Sequence, residues 1–260
     1  MSLRWTIADT LVLAGRQLRR IPRQPDLLIG YTMQPIMFVL LFRYVFGGAI
    51  STPGYDNYAQ FLMPGIIVQS IAFGGFVTAL AVADDMNKGL IDRFRSLPMS
   101  RIAVLAGRSI ADIALNALQL VVLIGVGLLV GFSFGTDVGR VLLGLILLLA
   151  LGYAFSWVFA LIGLSAGSAE TSNAIGFTVI FPLTFASGAF VPPATMPDGL
   201  REFAEANPFT TFVDATRHLF IGGDAAPANS DVWMAFLWVI AITVVAAFFA
   251  VRKYRSVSAG

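Results

Sequence analysis

The sequence has 260 residues, of which 57% are hydrophobic and only 12% are charged, and its mean hydropathy is +0.81. A water-soluble domain has roughly a quarter of its residues charged, so this composition excludes a soluble protein and indicates a surface that mostly faces lipid. We therefore expect one all-α integral membrane domain over residues 1–260, with no soluble catalytic part. The net charge of +2 gives no reason to expect nucleic-acid binding.

The residue types exclude several kinds of site. The chain has no cysteine and a single histidine, His218, which excludes disulfides, thiolate metal sites and a multi-histidine metal centre. An intramembrane enzyme would need a nucleophile with its base, or a metal constellation, and the sequence offers neither. We expect no catalytic residue in this chain, and no metal or other cofactor bound by it.

The first predicted element is an amphipathic helix within residues 1–24. Apolar residues recur in it at helical spacing, and Arg16, Arg19 and Arg20 cluster at its end. Such a helix lies along the cytoplasmic membrane interface, with its basic end at the lipid head groups. A basic N-terminal anchor with no further role is the alternative. Because the arginines stand where a signal peptide would be cleaved, we expect no cleaved signal.

Six charge-free stretches follow this helix. A bilayer core of about 30 Å is crossed by about 20 apolar helical residues. The stretches predict six transmembrane helices, near residues 27–46, 62–83, 110–131, 141–166, 173–190 and 232–251. The first stretch is short, so Arg43 is expected near one interface or in a protein-lined cavity.

The fifth predicted span is interrupted by Pro182 and followed by Ser187 and Gly188. This pattern predicts an incomplete crossing that leads into a re-entrant segment. The next segment, residues 191–230, is too polar to span a membrane and is rich in turn signals. Its turn residues predict two short amphipathic helices at the outer interface, separated near Pro208. The alternative is an ordinary structured loop.

The distribution of basic residues predicts the orientation. With six spans, the side that holds both termini has 13 of the 17 lysines and arginines, and the opposite side has 4. The side richer in lysine and arginine is normally cytoplasmic. We therefore expect a multi-pass protein of the cell inner (plasma) membrane with both termini in the cytoplasm.

The longest predicted cytoplasmic connection, residues 84–101, interleaves charges of both signs with apolar residues at helical spacing. Pro98 should end this helix, and its acidic start and basic end agree with the helix dipole. An amphipathic helix of this kind suits docking to a partner protein. The alternative is a solvated loop that only obeys the charge rule for topology.

Three segments resemble those of a known family. They are residues 88–101 (KGLIDRFRSLPMSR), residues 44–48 (YVFGG), and residues 188–217, which include GAFVP, MP, NPFT and Arg217. Their order and spacing, over nearly the whole chain, resemble the type-2 ABC transporter permeases, close to the daunorubicin-resistance membrane subunits. The resemblance implies the permease subunit of an ATP-driven exporter. Its substrate would be hydrophobic or amphiphilic, a drug or a lipid-like molecule, moved out of the cytoplasm or the inner leaflet.

The resemblance also implies the partners. In that family the loop after the second span resembles a coupling helix that docks on an ATP-binding subunit. Carried onto this chain, the implied contacts are Asp85, Lys88, Gly89, Asp92, Arg93 and Arg95, and docking would bury Leu90 and Phe94. Two such subunits would hold ATP and Mg²⁺, and a second permease copy or a paralogue would complete the transporter. This sequence has no Gly-x-x-x-x-Gly-Lys-Ser/Thr loop to cradle phosphates.

Phenylalanines are concentrated in the second and fifth predicted spans. One hypothesis is that an amphiphilic substrate passes along Gln69, Phe73, Phe76, Phe177, Phe181 and Phe185. Phenylalanine in a membrane helix more often faces lipid or packs in a core, and this is the alternative.

Two charged residues stand near the start of the third charge-free stretch. Asp112 follows Arg108 by four residues, which favours a local pair that lowers the cost of burial over a proton relay. The main alternative function is an ion-coupled secondary transporter working without an ATPase partner. It would need ionisable groups near the membrane midplane, and the sequence places no charged side chain clearly there.

Overall fold

The computed structural model of the protein describes residues 3–20, 25–50, 52, 54–55, 57–88, 101–222 and 229–256. Over these residues the chain is all-α, as predicted, and contains no strand. The helices are α1 (Leu3–Arg20), α2 (Pro25–Leu41), α3 (Tyr58–Asn87), α4 (Arg101–Leu129), α5 (Val138–Ser165), α6 (Ala169–Phe185), α7 (Asp198–Ala206), α8 (Pro208–Phe220) and α9 (Asn229–Ser256). A π-helical turn, Phe42–Phe46, extends α2, and a 3-10 turn, Pro193–Thr195, precedes α7.

Within the described residues, five helical segments are long and apolar enough to cross a membrane. They are Leu28–Phe46, Tyr58–Asn87, Ala103–Leu129, Val138–Ser165 and Asp231–Tyr254. These segments confirm five of the six predicted spans. The remaining prediction, near residues 173–190, falls on α6, which has 17 residues. At 1.5 Å per residue α6 is about 25 Å long, so a sixth crossing stays a prediction.

The central helix is α3, which is buried along most of its length. Ile66, Ile67 and Ile71 have no exposed surface, and they belong to one hydrophobic core with residues of α5 and α8. Glycines allow α5 to approach α3 closely. A Cβ at Gly163 of α5 would lie 2.6 Å from the Ala79 carbonyl oxygen of α3. Small residues at such crossings are typical of helices packed within membranes.

Three of the long helices begin at a side-chain cap. The capping residues are Asn57 for α3, Asp137 for α5 and Ser168 for α6. Each side chain accepts a hydrogen bond from the backbone N–H three residues later, which satisfies one of the free donors in the first helical turn. In α6, Pro182 is followed by three more helical residues before the helix ends at Phe185.

The predicted N-terminal helix is present as α1, and one of its faces packs on α4. A Cβ at Gly107 of α4 would lie 2.9 Å from the Thr10 carbonyl oxygen, so only glycine permits this approach. On the other face Leu11 and Val12 are exposed. Arg16 and Arg19 are exposed too, and the side chain of Arg20 lies outside the described residues.

Arg43 lies in the π-helical turn that ends the first span. Its Nε donates a hydrogen bond of 3.1 Å to the carbonyl oxygen of Val130, just beyond the end of α4. Arg43 therefore connects the ends of two spans, which agrees with its expected position near one interface.

The two short helices predicted within residues 191–230 are present as α7 and α8. Asn207 separates them, and its side chain caps α8 by accepting from the Phe209 N–H. The same side chain donates to the carbonyl oxygens of Leu183 and Ala186, at 2.7 and 2.9 Å. These bonds fix the start of α8 to the end of α6. Re-entry of this segment into the membrane stays a prediction.

Candidate functional site

A cavity of about 770 Å³ lies between α2, α3, α4 and α6, with Gln17 of α1 at its edge. All six side chains of the predicted substrate path line it. They are Gln69, Phe73 and Phe76 on α3, and Phe177, Phe181 and Phe185 on α6. The structure therefore brings together residues that lie more than 100 positions apart in the sequence. Their contact with a substrate stays a prediction.

One wall of the cavity is aromatic. Phe177 packs against both Phe73 and Phe76, with ring centroids 5.7 and 5.5 Å apart. Along α6 the rings of Phe181 and Phe185 stack at 4.2 Å. The three phenylalanines of α6 recur every four residues and so share one face of that helix. Phe177 and Phe181 are almost half exposed, so this wall is open to a ligand as well as packed.

A second wall, on α4, carries a row of polar residues. Arg108, Asp112 and Gln119 all line the cavity. Their spacings of four and seven residues place them on one helical face. Gln119 was not among the residues predicted from the sequence, because no local pattern shows which face of α4 lines the cavity.

Asp112 is buried and bound by two hydroxyl groups. Thr78 of α3 and Ser156 of α5 donate to its Oδ2, at 2.5 and 2.7 Å. The expected pair with Arg108 is wrong: no ion pair joins the two residues in the described part of the chain. Arg108 donates instead from Nη2 to the carbonyl oxygen of Val77, at 3.2 Å. The cause is tertiary packing, since α3 and α5 bring closer partners than the i, i+4 spacing within α4.

Asp112 lies inside a membrane span. It belongs to the span Ala103–Leu129 and is 9% exposed, whereas the sequence placed it at the edge of a charge-free stretch. A carboxylate at such a place is costly and usually has a functional or structural partner.

A second polar cluster lies beside the cavity, where α2 meets α4. The Tyr31 hydroxyl donates to Oδ1 of Asn116 at 2.7 Å, and the Gln119 amide donates to the Tyr31 carbonyl oxygen at 3.1 Å. Glycines make room for this cluster. A Cβ at Gly74 would collide with the Tyr31 hydroxyl, and one at Gly152 would collide with the Asn116 amide. The cluster therefore fixes the position of α2 against α4.

The end of the fold that carries α7 and α8 is organised around Arg217, which belongs to one of the three segments of the family resemblance. Its side chain is only 2% exposed. The guanidinium donates to the carbonyl oxygens of Phe61 and Ala189 and to the Asp214 carboxylate at 3.0 Å. Burial lowers the pKa of Arg217 and raises that of Asp214, while the attraction between the two opposes both shifts.

The predicted coupling loop is described only at its beginning. Asp85 lines a small cavity together with Arg16 of α1 and Arg108. Lys88 forms an exposed ion pair with Asp84, at 2.7 Å. The other predicted contacts, Gly89, Leu90, Asp92, Arg93, Phe94 and Arg95, lie outside the described residues. The docking role of the loop stays a prediction.

The chain was compared with known protein families and with curated proteins. Residues 8–221 match the family model described as ABC-2 type transporter. The chain is 33% identical over 216 residues to the daunorubicin resistance ABC transporter permease protein DrrB1 of Streptomyces coeruleorubidus, covering 83% of this chain and 76% of the relative.

Two further relatives are similar to most of the chain. The probable doxorubicin resistance ABC transporter permease protein DrrC of Mycobacterium tuberculosis is 24% identical over 97% of this chain and 90% of its own. The putative transport permease ycf38 of Cyanophora paradoxa is 26% identical over 82% of this chain and 74% of its own. The family match covers most of the helical fold, including all four helices around the cavity. The chain therefore belongs to the ABC-2 type transporter family and is the membrane-spanning permease subunit of an ABC exporter.

Proposed function

We propose that this permease moves a hydrophobic or amphiphilic molecule, drug or lipid-like, out of the cytoplasm or inner leaflet through the cavity between α2, α3, α4 and α6. The observation that carries the proposal is the cavity itself, whose lining combines an aromatic wall with a polar one. Its volume of about 770 Å³ falls within the range of ordinary small-molecule sites. Two such walls suit a molecule with an apolar body and a polar edge.

We infer that the energy comes from ATP and Mg²⁺ on a separate subunit, present in two copies. The absence of a phosphate-cradling loop from this sequence supports that division of labour. Residues 84–101 would dock on the ATP-binding subunit, with the charged side chains around apolar anchors. Asp85 would pass movement on to the permease, since it lies beside α1 and α4.

The same proposal gives the whole chain, residues 1–260, as one permease domain with six spans and both termini in the cytoplasm. α6 would be the fifth span, completed by the residues that follow it. A second permease copy or a paralogue would pair with this one. The exposed apolar side chains of α2 and α6, such as Met37 and Val179, are available for that contact or for lipid. Arg16, Arg19 and Arg20 would meet lipid head groups.

The rival function is an ion-coupled secondary transporter. The observation that favours it is the position of Asp112, a carboxylate buried inside a span. Such a transporter needs a titratable group inside the membrane, and Asp112 is one. The bonds from Thr78 and Ser156 give the carboxylate a structural role as well, which weakens this rival.

The experiment is transport into inside-out proteoliposomes that contain the permease and its ATP-binding subunit. We expect uptake of an aromatic amphiphile to require ATP and to persist when ionophores collapse all ion gradients. The double substitution Phe177→Ala and Phe181→Ala should lower uptake severalfold. Phe248→Ala is the matched control, because Phe248 is an exposed ring on α9, outside the cavity. Uptake driven by an ion gradient without ATP would support the rival.

A further inference from the structure

The polar wall of the cavity has acceptor atoms that the described residues leave without donors. Gln119 is 2% exposed, and its Nε2 donates a hydrogen bond to the Tyr31 carbonyl oxygen. Its Oε1 has no hydrogen-bond partner among the described residues. The orientation of this amide is settled by the Tyr31 carbonyl, which can only accept. Oε1 has almost no exposed surface, so a ligand in the cavity does not reach it, and a ligand must find its polar partner elsewhere on this wall.

Asp112 presents an acceptor to the cavity. The hydroxyls of Thr78 and Ser156 bind Oδ2, and they hold the carboxylate from two different helices. No donor from the described residues is bound to Oδ1. Oδ1 is therefore an acceptor that a ligand in the cavity can reach.

The other charges around the cavity leave Asp112 as the carboxylate that is free for a ligand cation. Asp84 also lines the cavity, but its Oδ2 is paired with Lys88 at 2.7 Å. Arg108 lies one turn from Asp112 without contacting it, and its buried Nε has no acceptor in the described part of the chain. That nitrogen has almost no exposed surface, so a ligand does not reach it. What the wall offers to a ligand is the negative charge of Asp112.

We propose that Asp112 is the specificity-determining residue of this permease and selects aromatic amphiphiles that carry a protonated amine. This inference rests on the proposed function and narrows its substrate class. The flat apolar part lies against Phe73, Phe177 and Phe181, and the amine meets Oδ1 of Asp112. A charge-assisted hydrogen bond in a site away from water is stronger than one in bulk solvent, so the amine contributes more than the other polar groups.

The test is equilibrium binding to the permease in complex with its ATP-binding subunit, without nucleotide. The probes are daunorubicin, a planar aromatic molecule with one protonated amine, and N-acetyldaunorubicin, which keeps the rings and loses the charge. We expect the wild type to prefer the amine. Asp112→Asn should weaken binding of the amine about tenfold or more, a loss of about 1.4 kcal/mol or more. Binding of the acetylated probe should not change.

Two features of the design keep this test specific. The asparagine side chain retains an oxygen that accepts from Thr78 and Ser156, so the packing around position 112 is preserved. Glu205→Gln is the control, because it removes an exposed carboxylate of α7 that does not line the cavity. It should leave both affinities within about twofold, since a solvated charge outside the binding site contributes little.

Each outcome bears on the inference. If Asp112→Asn weakened binding of both probes equally, the residue would have a packing role only. If neither affinity changed, it would have no role in binding. Either result overturns the inference. A wild type without preference for the amine overturns it too. ATP-driven export that continues for both probes in the variant would leave the proposed function standing. Failure of the wild type to bind or export either probe would count against both.

Discussion

The guanidinium carbon of Arg217 lies 3.7 Å from the centroid of the Phe61 ring, and Nε and Nη2 of the same arginine donate to the Phe61 carbonyl oxygen at 3.2 and 2.9 Å. The two residues are 156 positions apart. The contact joins the last turn of α8 to the first turn of α3. Ala189, in the segment before α7, is bound to the same guanidinium. One side chain thus holds three parts of this end of the fold together.

Removal of this arginine should destabilise the protein strongly. Arg217→Ala would leave the carbonyl oxygens of Phe61 and Ala189 without donors and the Asp214 carboxylate without its counter-ion. Breaking a buried pair by removing one partner costs about 3–5 kcal/mol. We expect a clear fall in the midpoint of thermal unfolding in detergent. Arg201→Ala removes an exposed pair with Asp198 and should change stability by no more than about 1 kcal/mol. Equal effects of the two variants would contradict the role given to Arg217.

The contact between α3 and the segment before α7 also depends on Gly65. A Cβ there would collide with the carbonyl oxygen of Ala189, and this is backbone that has no freedom to rotate away. Gly65→Ala should therefore lower thermal stability and the ordering of the outer helices. Gly125→Ala is the control. Gly125 lies in the C-terminal part of α4 with open space at its Cβ, so alanine should be neutral or stabilising there, by up to about 1 kcal/mol. The measurement is the rate of proteolysis of the outer segment, which should rise in Gly65→Ala and stay at the wild-type level in Gly125→Ala.

The spans were predictable because apolar composition is a local property of the sequence. Five long helices fall where charge-free stretches predicted them, and Asn207 and Pro208 marked the junction of two short helices. The length of α6 was not predictable in the same way. The helix ends three residues after Pro182, where the Asn207 side chain, 24 positions along the chain, donates a hydrogen bond to the Leu183 carbonyl oxygen.

The two walls of the cavity differ in how far the sequence could predict them. The phenylalanines of α6 repeat every four residues, so the sequence alone indicated that they share one face of a helix. The polar wall depends on which face of α4 turns towards α2 and α3, and no local pattern determines that. For the same reason the expected pair between Arg108 and Asp112 was wrong. The hydroxyls of Thr78 and Ser156 come from other helices, and only the folded structure places them at the carboxylate.

The predicted topology can be tested with fused reporters. A reporter after Arg95 or after Arg255 should be cytoplasmic, and one placed at Ala225 should be external. The physical reason is the excess of lysine and arginine on the predicted cytoplasmic side. Alkaline phosphatase and green fluorescent protein fusions give opposite signals on the two sides, so each site is measured twice. An external reporter after Arg95 would contradict the orientation and the docking role of the loop together.

The coupling loop should bind the ATP-binding subunit through both charge and apolar packing. An interface with an apolar core and a polar rim would place Leu90 and Phe94 inside and Asp92 at the edge. Asp92→Arg should weaken association with the ATPase or uncouple hydrolysis from transport, with normal membrane insertion. Phe94→Ala should be at least as damaging, since a buried aromatic anchor commonly outweighs a charge at the rim. Co-purification of the ATPase and substrate efflux from cells measure the two effects.

A matched charge reversal separates docking from a general effect of charge. Glu205 is exposed on α7, which the predicted topology places on the outer side, so Glu205→Arg should leave association and efflux at the wild-type level. A rim charge that remains solvated costs little, whereas a charge buried against an unpaired partner costs a few kcal/mol. The size of the Asp92→Arg effect therefore reports how deeply the loop is buried in the interface. Wild-type association and efflux in both Asp92→Arg and Phe94→Ala would show that this loop only sets topology, because neither the charge nor the aromatic anchor would then contact a partner.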